Sequence, residues 1–234
     1  MNIRRWESSG MRIVIRVGDS VVASPPNPVL IGRYVDLLKD LKEQGHEIVA
    51  VVGGGALARD FIRVAGELGL DETNRDWAAI HVSRLFAYLF VMRLEDAGCG
   101  TMPASLDEAV ACLKHGKIVV MGGLKPGMTT DTAAAMIGER VDADLLVKAS
   151  NVDGIFTKDP KKYPDAKKID ELKLDDLTQL FEENRHKAGI HQILDPEAVK
   201  ILRKGGMKMV VVNGFYPENV LLAVKGETIG TTIK

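Results

Sequence analysis

The chain has 234 residues, 46% hydrophobic and 27% charged, with a formal net charge of −1. That is room for one large domain or two small ones, with the composition of a globular protein. The near-neutral charge excludes a nucleic-acid binder held by general phosphate neutralisation, so any phosphate site must be local. No apolar run reaches the roughly 20 residues of a membrane span, and neither nucleic acid nor membrane is an expected partner. Met1–Gly10 carries Arg4 and Arg5 without an apolar segment behind them, unlike a secretory leader. It reads as an N-terminal extension, with the fold beginning at residue 11. Cys99 and Cys112 have 12 residues between them, no C-x-x-C and no adjacent histidine. They indicate neither a zinc site nor a disulfide framework, and a reducing cytoplasm is the default.

Along the chain, apolar strands alternate with amphipathic helices. Arg12–Val17 is the first strand and runs into Gly18-Asp19-Ser20. Leu30–Lys42 places Leu30, Tyr34, Leu37, Leu38 and Leu41 on one helical face. Strand Glu47–Val52 runs into Gly53-Gly54-Gly55 and the helix Ala56–Leu68. The polar stretch Asp71–Asp76, with Trp77 expected in the core, precedes a helix over Ser83–Asp96. Ser105 with Glu108 forms a capping box for a helix ending at Lys114. Strand Lys117–Met121 leads into Gly122-Gly123, a Pro126-Gly127 turn, Thr129-Thr130 and the helix Asp131–Val141. Strand Leu145–Ala149 runs into Ser150-Asn151-Val152-Asp153-Gly154. A polar loop, Thr157–Pro164, follows. The remaining expected elements are helix Asp170–Asn184, helix Glu197–Lys204 behind Asp195-Pro196, strand Lys208–Val212, helix Pro217–Val224 and strand Thr228–Ile233.

This order predicts an α/β fold, a three-layer α/β/α sandwich on a mostly parallel sheet. The carboxyl ends of parallel strands lie along one edge, where ligands bind. Four of these strands end in small or glycine-containing loops. The loop before Asp131 offers backbone N–H groups, two hydroxyls and a helix N-terminus to one point, which is an anion site. Four such loops suit two phosphorylated ligands side by side. Gly53, Gly55 and Ala58 also fit the relaxed dinucleotide pattern, but no second strand with an acidic end follows. Arg59, one turn into its helix, fits either a fork on phosphate or a surface pairing with Asp60 or Glu67. Asp131 fits either a helix cap or an organiser of cations beside phosphates. His186 and His191 lie five apart, which is not a metal spacing.

Taken together, the segments Gly18-Asp19-Ser20, Gly53-Gly54-Gly55…Arg59, Arg75-Asp76, Gly122-Gly123…Pro126-Gly127…Thr129-Thr130-Asp131, Asn151-Val152-Asp153-Gly154-Ile155-Phe156…Asp159-Pro160 and Lys187-Ala188-Gly189…Asp195-Pro196 resemble the archaeal-type UMP kinases of the amino acid kinase superfamily. The resemblance runs from Met11 to the carboxyl end. It implies transfer of the ATP γ-phosphoryl group to UMP in pyrimidine nucleotide biosynthesis, with Mg2+ accompanying ATP, in a cytoplasmic homohexamer. It implies a UMP-binding lobe over about 11–142 and an ATP-binding lobe over about 143–234. UMP would be surrounded by Gly54, Asp76, Leu124, Lys125, Pro126, Gly127, Met128, Thr129 and Thr130, with Asp76 on the ribose. ATP would be held by Arg16, Val17, Gly18, Asp19, Ser20, Gly55, Arg59, Ser150, Asn151, Phe156 and Asp159. Arg59 and Asp131 would be catalytic, and no metal ligand from the protein is expected.

Four positions depart from that pattern. Asp19 stands where the family has glycine, Arg16 where small, acidic or lysine residues are usual, Ala79 for a glycine and Phe86 for an asparagine. A carboxylate beside a triphosphate repels it unless a cation intervenes, so Asp19 is expected to pair with a cation such as Arg16. Two other classes stay open. One is a nucleotide-binding storage or regulatory protein whose chemistry Asp19 has weakened. The other is another kinase of the superfamily.

Overall fold

A computed structural model describes residues 10–158, 160, 162–177 and 194–234. Its centre is strand β1 (Arg12–Val17), five of whose six residues are buried. The short helix α1 (Asp19–Val22) and the long α2 (Pro28–Glu43) follow. Asn27 caps α2 by accepting from the Leu30 N–H at 3.0 Å, and Pro28 occupies the first turn, where no N–H is needed. Strand β2 (Glu47–Val52), helices α3 (Gly55–Glu67), α4 (Glu72–Leu94) and α5 (Leu106–Lys114), and strand β3 (Val119–Met121) come next. The second half holds α6 (Thr130–Val141), β4 (Leu145–Ser150), the small strands β5 (Ile155–Phe156), β6 (Lys168–Ile169) and β7 (Glu171–Leu172), then α7 (Pro196–Gly205), β8 (Lys208–Asn213), α8 (Glu218–Val224) and β9 (Thr231–Ile233).

Seven strands form one sheet in the order β3-β2-β1-β4-β8-β9-β7, and β5 pairs with β6 in a separate hairpin. All pairs in the large sheet are parallel except β8 with β9. Side chains of one strand alternate between the two faces. Ile13, Ile15 and Val17 join the core under α2 and α4, while Val14 joins the core under α5, α6 and α7. The expected α/β/α sandwich is therefore the observed one.

Three expectations need correction. Helix α4 begins at Glu72 rather than Ser83, and Asp71 caps it by accepting from the Asn74 N–H. By length and composition, residues Glu72–Ala97 would pass for a membrane span. Their Ile80, Val82, Phe86, Phe90, Val91 and Leu94 are packed inside the fold. The expected helix Asp170–Asn184 starts later, at residue 174: strand β7 comes first, with Leu172 buried, residues 174–177 are helical, and 178–184 lie outside the described residues. Cys99 and Cys112, read as unconnected, are joined, with Cα atoms 5.6 Å apart, because the chain after α4 folds back along α5.

Tyr34 is fully buried and donates to the Gly214 carbonyl at 2.7 Å, tying α2 to the end of β8. Burial pushes its phenol pKa up, so it stays a donor. Tyr34→Phe leaves that carbonyl short of a partner, and a loss of about 1 kcal/mol is expected in urea unfolding. A variant as stable as the wild type would show that the bond contributes nothing.

Candidate active site

The carboxyl ends of β1, β2, β3 and β4 face the same edge because these strands run parallel. The loops after them carry most of the residues singled out above. Gly18 N–H donates to the Ala149 carbonyl at 2.8 Å, so the loop after β1 lies against the end of β4. Ser150 and Asn151 follow on β4 and its loop, and Phe156 sits half-buried on the β5–β6 hairpin. Asp159 and the segment with His186, Lys187, Gly189 and His191 lie outside the described residues.

Two glycines make the edge approachable. Gly55 opens α3 at φ 66°, and a Cβ there would lie 2.3 Å from the Ala23 carbonyl oxygen. A Cβ on Gly122 would lie 2.7 Å from the Arg84 amide nitrogen, so only glycine lets the loop after β3 pass so close to α4. Helices α3 and α6 both start at this edge, and the positive ends of their dipoles favour anions there.

Alternation puts two cations side by side. Arg16 and Lys148 are register partners on β1 and β4. Both are buried, at 9% and 3% exposure, on the face that α6 covers. Asp131, in the first turn of α6, stands between them. Its Oδ1 is 2.9 Å from Arg16 Nε and its Oδ2 is 2.5 Å from Lys148 Nζ. Burial raises the Asp131 carboxyl pKa, but Arg16 and then Lys148 outweigh that and hold it below the usual carboxylate value. Burial lowers the Lys148 pKa, and Asp131 opposes the fall. Arg16 Nη2 also donates to the Thr130 hydroxyl at 2.9 Å. The cap of α6 is Thr129, which accepts from the Thr132 N–H, so Asp131 serves the cations and not the cap.

Asp19 pairs with Arg59 Nη1 at 3.0 Å and lies 3.6 Å from Arg16 Nη2. Burial pushes its carboxyl pKa up, but Arg16 and Arg59 bring it below the usual value. The expected cation pairing of Asp19 is present, with Arg59 as the nearer partner. Arg59 does not take Asp60 or Glu67 as the surface alternative had it; Arg63 takes Glu67. Among the described residues, Arg59, Asp19, Arg16, Asp131 and Lys148 thus form one chain of alternating charge.

Beside this chain is a cleft whose lining includes Gly54, Asp76, Ala79, Gly123, Met128 and Thr130. Asp76 accepts from the Gly127 N–H at 2.7 Å, and Ser83 Oγ accepts from the Gly123 N–H at 2.8 Å. Lys125 and Thr129 are exposed on the same loop, with Leu124 and Pro126 half-buried. Trp77, expected in the core, is half-exposed, its ring centroid 6.0 Å from that of His81.

A model of the amino acid kinase family matches residues 11–213. The chain belongs to that family. Similar members include a uridylate kinase of Methanothermobacter thermautotrophicus, 39% identical over 95% of this chain and 99% of the other. Another, from Methanocella arvoryzae, is 42% identical over 96% of this chain and the whole of the other. The crystal structure of the Archaeoglobus fulgidus uridylate kinase is 35% identical, covers 96% of this chain and all of its own, and superposes with a TM-score of 0.86. A Bacillus anthracis UMP kinase structure, 23% identical with a TM-score of 0.81, shares the amino acid kinase fold.

Lys148 was not found from the sequence. Its signal is a lysine inside the apolar strand Leu145-Leu146-Val147-Lys148-Ala149, in the same alternation phase as Leu146. Asp131→Asn leaves two buried cations facing each other and is expected to destabilise the fold by about 3–5 kcal/mol, with partial recovery when Lys148→Met is added. The depressed pKa sets the pH range. The carboxylate's contribution is complete above its ordinary pKa of 3.8 and is lost as pH falls through the lower folded value. Urea unfolding across pH should show the difference between wild type and Asp131→Asn constant near neutrality and shrinking only below 3.8. A difference that shrinks well above that pH contradicts the assignment.

Proposed function

We propose that this chain transfers the γ-phosphoryl group of ATP to UMP, giving ADP and UDP. The observation that carries the reading is the cleft. It gathers Gly54, Asp76, Met128 and Thr130, four residues that the resemblance gives to UMP, directly beside the charged chain around Asp131. The relatives named above are uridylate kinases, which supports the same reaction.

Two anionic phosphates must meet in line, and positioning with cation placement supplies most of the catalysis. The phosphate dianion of UMP attacks the γ-phosphorus, and ADP leaves from the opposite side. No general base is needed, because the nucleophile is already ionised. In this reading Arg59, exposed and held by Asp19, turns its guanidinium onto the meeting phosphates. Arg16 and Lys148 supply fixed positive charge beneath them, and Asp131 keeps the two from repelling one another. The N–H groups at the starts of α3 and α6 add donors for charge that develops in transfer. Val17, Gly18 and Ser20 would lie under the ATP phosphates, with Ser150, Asn151 and Phe156 on its nucleoside side.

Mg2+ would come with ATP. Both central carboxylates are already engaged by cations, and among the described residues no group of three candidate ligands occurs. In this reading Mg2+ would be carried by the triphosphate and would neutralise part of its charge. The pairing of Asp19 with Arg59 weighs against the binding-only alternative, in which an unpaired carboxylate would repel ATP.

The wider reading places the enzyme in pyrimidine nucleotide biosynthesis, in the cytoplasm, as a homohexamer. Exposed apolar side chains on α3 (Phe61, Val64) and on α4 (Leu85, Tyr88, Leu89, Met92) suit contacts between copies. Sedimentation should give a single species of six chains; a monomer removes that part of the reading.

A coupled assay of ADP release with a panel of nucleoside monophosphates tests the function. UMP should be strongly preferred, and CMP, with a donor and an acceptor exchanged, should lose on the order of 10-fold or more in kcat/KM. Equal values for the two sink the substrate assignment. Arg59→Lys should cut turnover by at least about tenfold, since an ammonium cannot form the fork. Full activity in that variant removes the bidentate role.

A further inference from the structure

Helix α4 supplies more than a wall to the cleft. Arg84, half-buried, reaches from it into the loop after β3. Its Nε donates to the Gly123 carbonyl at 3.0 Å, and its Nη2 donates to the Leu124 carbonyl at 3.0 Å. A longer bond of 3.4 Å runs from Nη2 to the Ala104 carbonyl. The guanidinium carbon lies 5.7 Å from the centroid of the Trp77 ring, which backs it. One planar group thus grips two successive carbonyls.

That grip fixes the other side of each peptide. These peptide bonds are trans, since among the described residues only Ser24-Pro25 is cis. In a trans peptide the carbonyl and the N–H point in opposite directions. The N–H groups of Leu124 and Lys125 are therefore turned away from Arg84. Neither has a protein partner among the described residues. The neighbouring donors differ: Gly123 N–H goes to Ser83 and Gly127 N–H to Asp76, both on α4. The helix satisfies the two glycine donors, pulls in two carbonyls, and leaves two donors between them unspent.

We propose that Arg84 is a positioning residue for the nucleoside monophosphate, holding the loop so that the Leu124 and Lys125 N–H groups meet acceptor atoms of the substrate. The inference rests on the reading that this cleft takes UMP. A pair of fixed donors suits the carbonyl oxygens of uracil, whereas cytosine presents an amine in place of one of them. Lysine would not replace Arg84 fully, because a point charge cannot hold two carbonyls in one plane.

Arg84→Met and Arg84→Lys, compared with the wild type by steady-state kinetics and by calorimetric titration with UMP and CMP, test the proposal. Arg84→Met should raise both KM and Kd for UMP by at least about tenfold while leaving the KM for ATP within about twofold. Its preference for UMP over CMP should fall, and Arg84→Lys should recover part of the loss. Unchanged UMP affinity in Arg84→Met, with a wild type that binds UMP, overturns the inference and leaves the function standing. Equal losses for UMP and ATP together with a lower Tm would assign Arg84 to general stability and also overturn it. A wild type that binds no nucleoside monophosphate removes the functional reading, and this inference with it.

Discussion

Two buried cations on adjacent strands are the constraint around which this site is arranged. Arg16 and Lys148 share a register position and a sheet face, so nothing in the sheet itself keeps them apart. Desolvation penalises each charge, and their repulsion adds to it. One carboxylate on α6, bonded to both, makes the arrangement tenable. The start of α6 is therefore tied to the sheet by charge, and the loop before it inherits that position. A pair of this kind adds little net stability over apolar residues of similar size. What it provides is concentrated positive charge at the edge where two phosphorylated ligands would meet, held before either arrives.

Asp19 fits the same logic. A carboxylate beside a phosphate site is a liability only while it is unpaired. Here it neutralises Arg59 on α3 and leans on Arg16. Arg16 and Asp19 thus offset each other's charge.

How far the sequence could be read depended on where contrast existed. The strand–helix alternation and the glycine loops were legible, because apolar runs ending in Gly18, Gly53 and Gly122 leave few other folds. Asp131 was legible through its loop, and Arg16 only through the family resemblance. Lys148 was not: attention goes to strand ends, and a lysine amid Leu145, Leu146 and Val147 declares itself only when its phase is matched to that of Arg16 on the neighbouring strand. The beginning of α4 was hidden for a different reason. Its first turn, from Glu72 to Asp76, is polar and largely exposed, so no apolar period marks it. Strands of two residues, such as β7, are too short to show a period at all. The Cys99–Cys112 bond depends on a fold-back that linear spacing does not encode.

Asp195 links the starts of α6 and α7. It caps α7 by accepting from the Ala198 N–H at 2.8 Å, and it also accepts from the hydroxyls of Thr129 and Thr132 at the start of α6. One carboxylate therefore ties together the starts of two helices that lie on either side of residue 142. Local opening of either helix strips a partner from the other, so the two should fray together rather than in sequence. The expected division of ligand duties near residue 142 is then bridged by this carboxylate, which has partners on both sides of it.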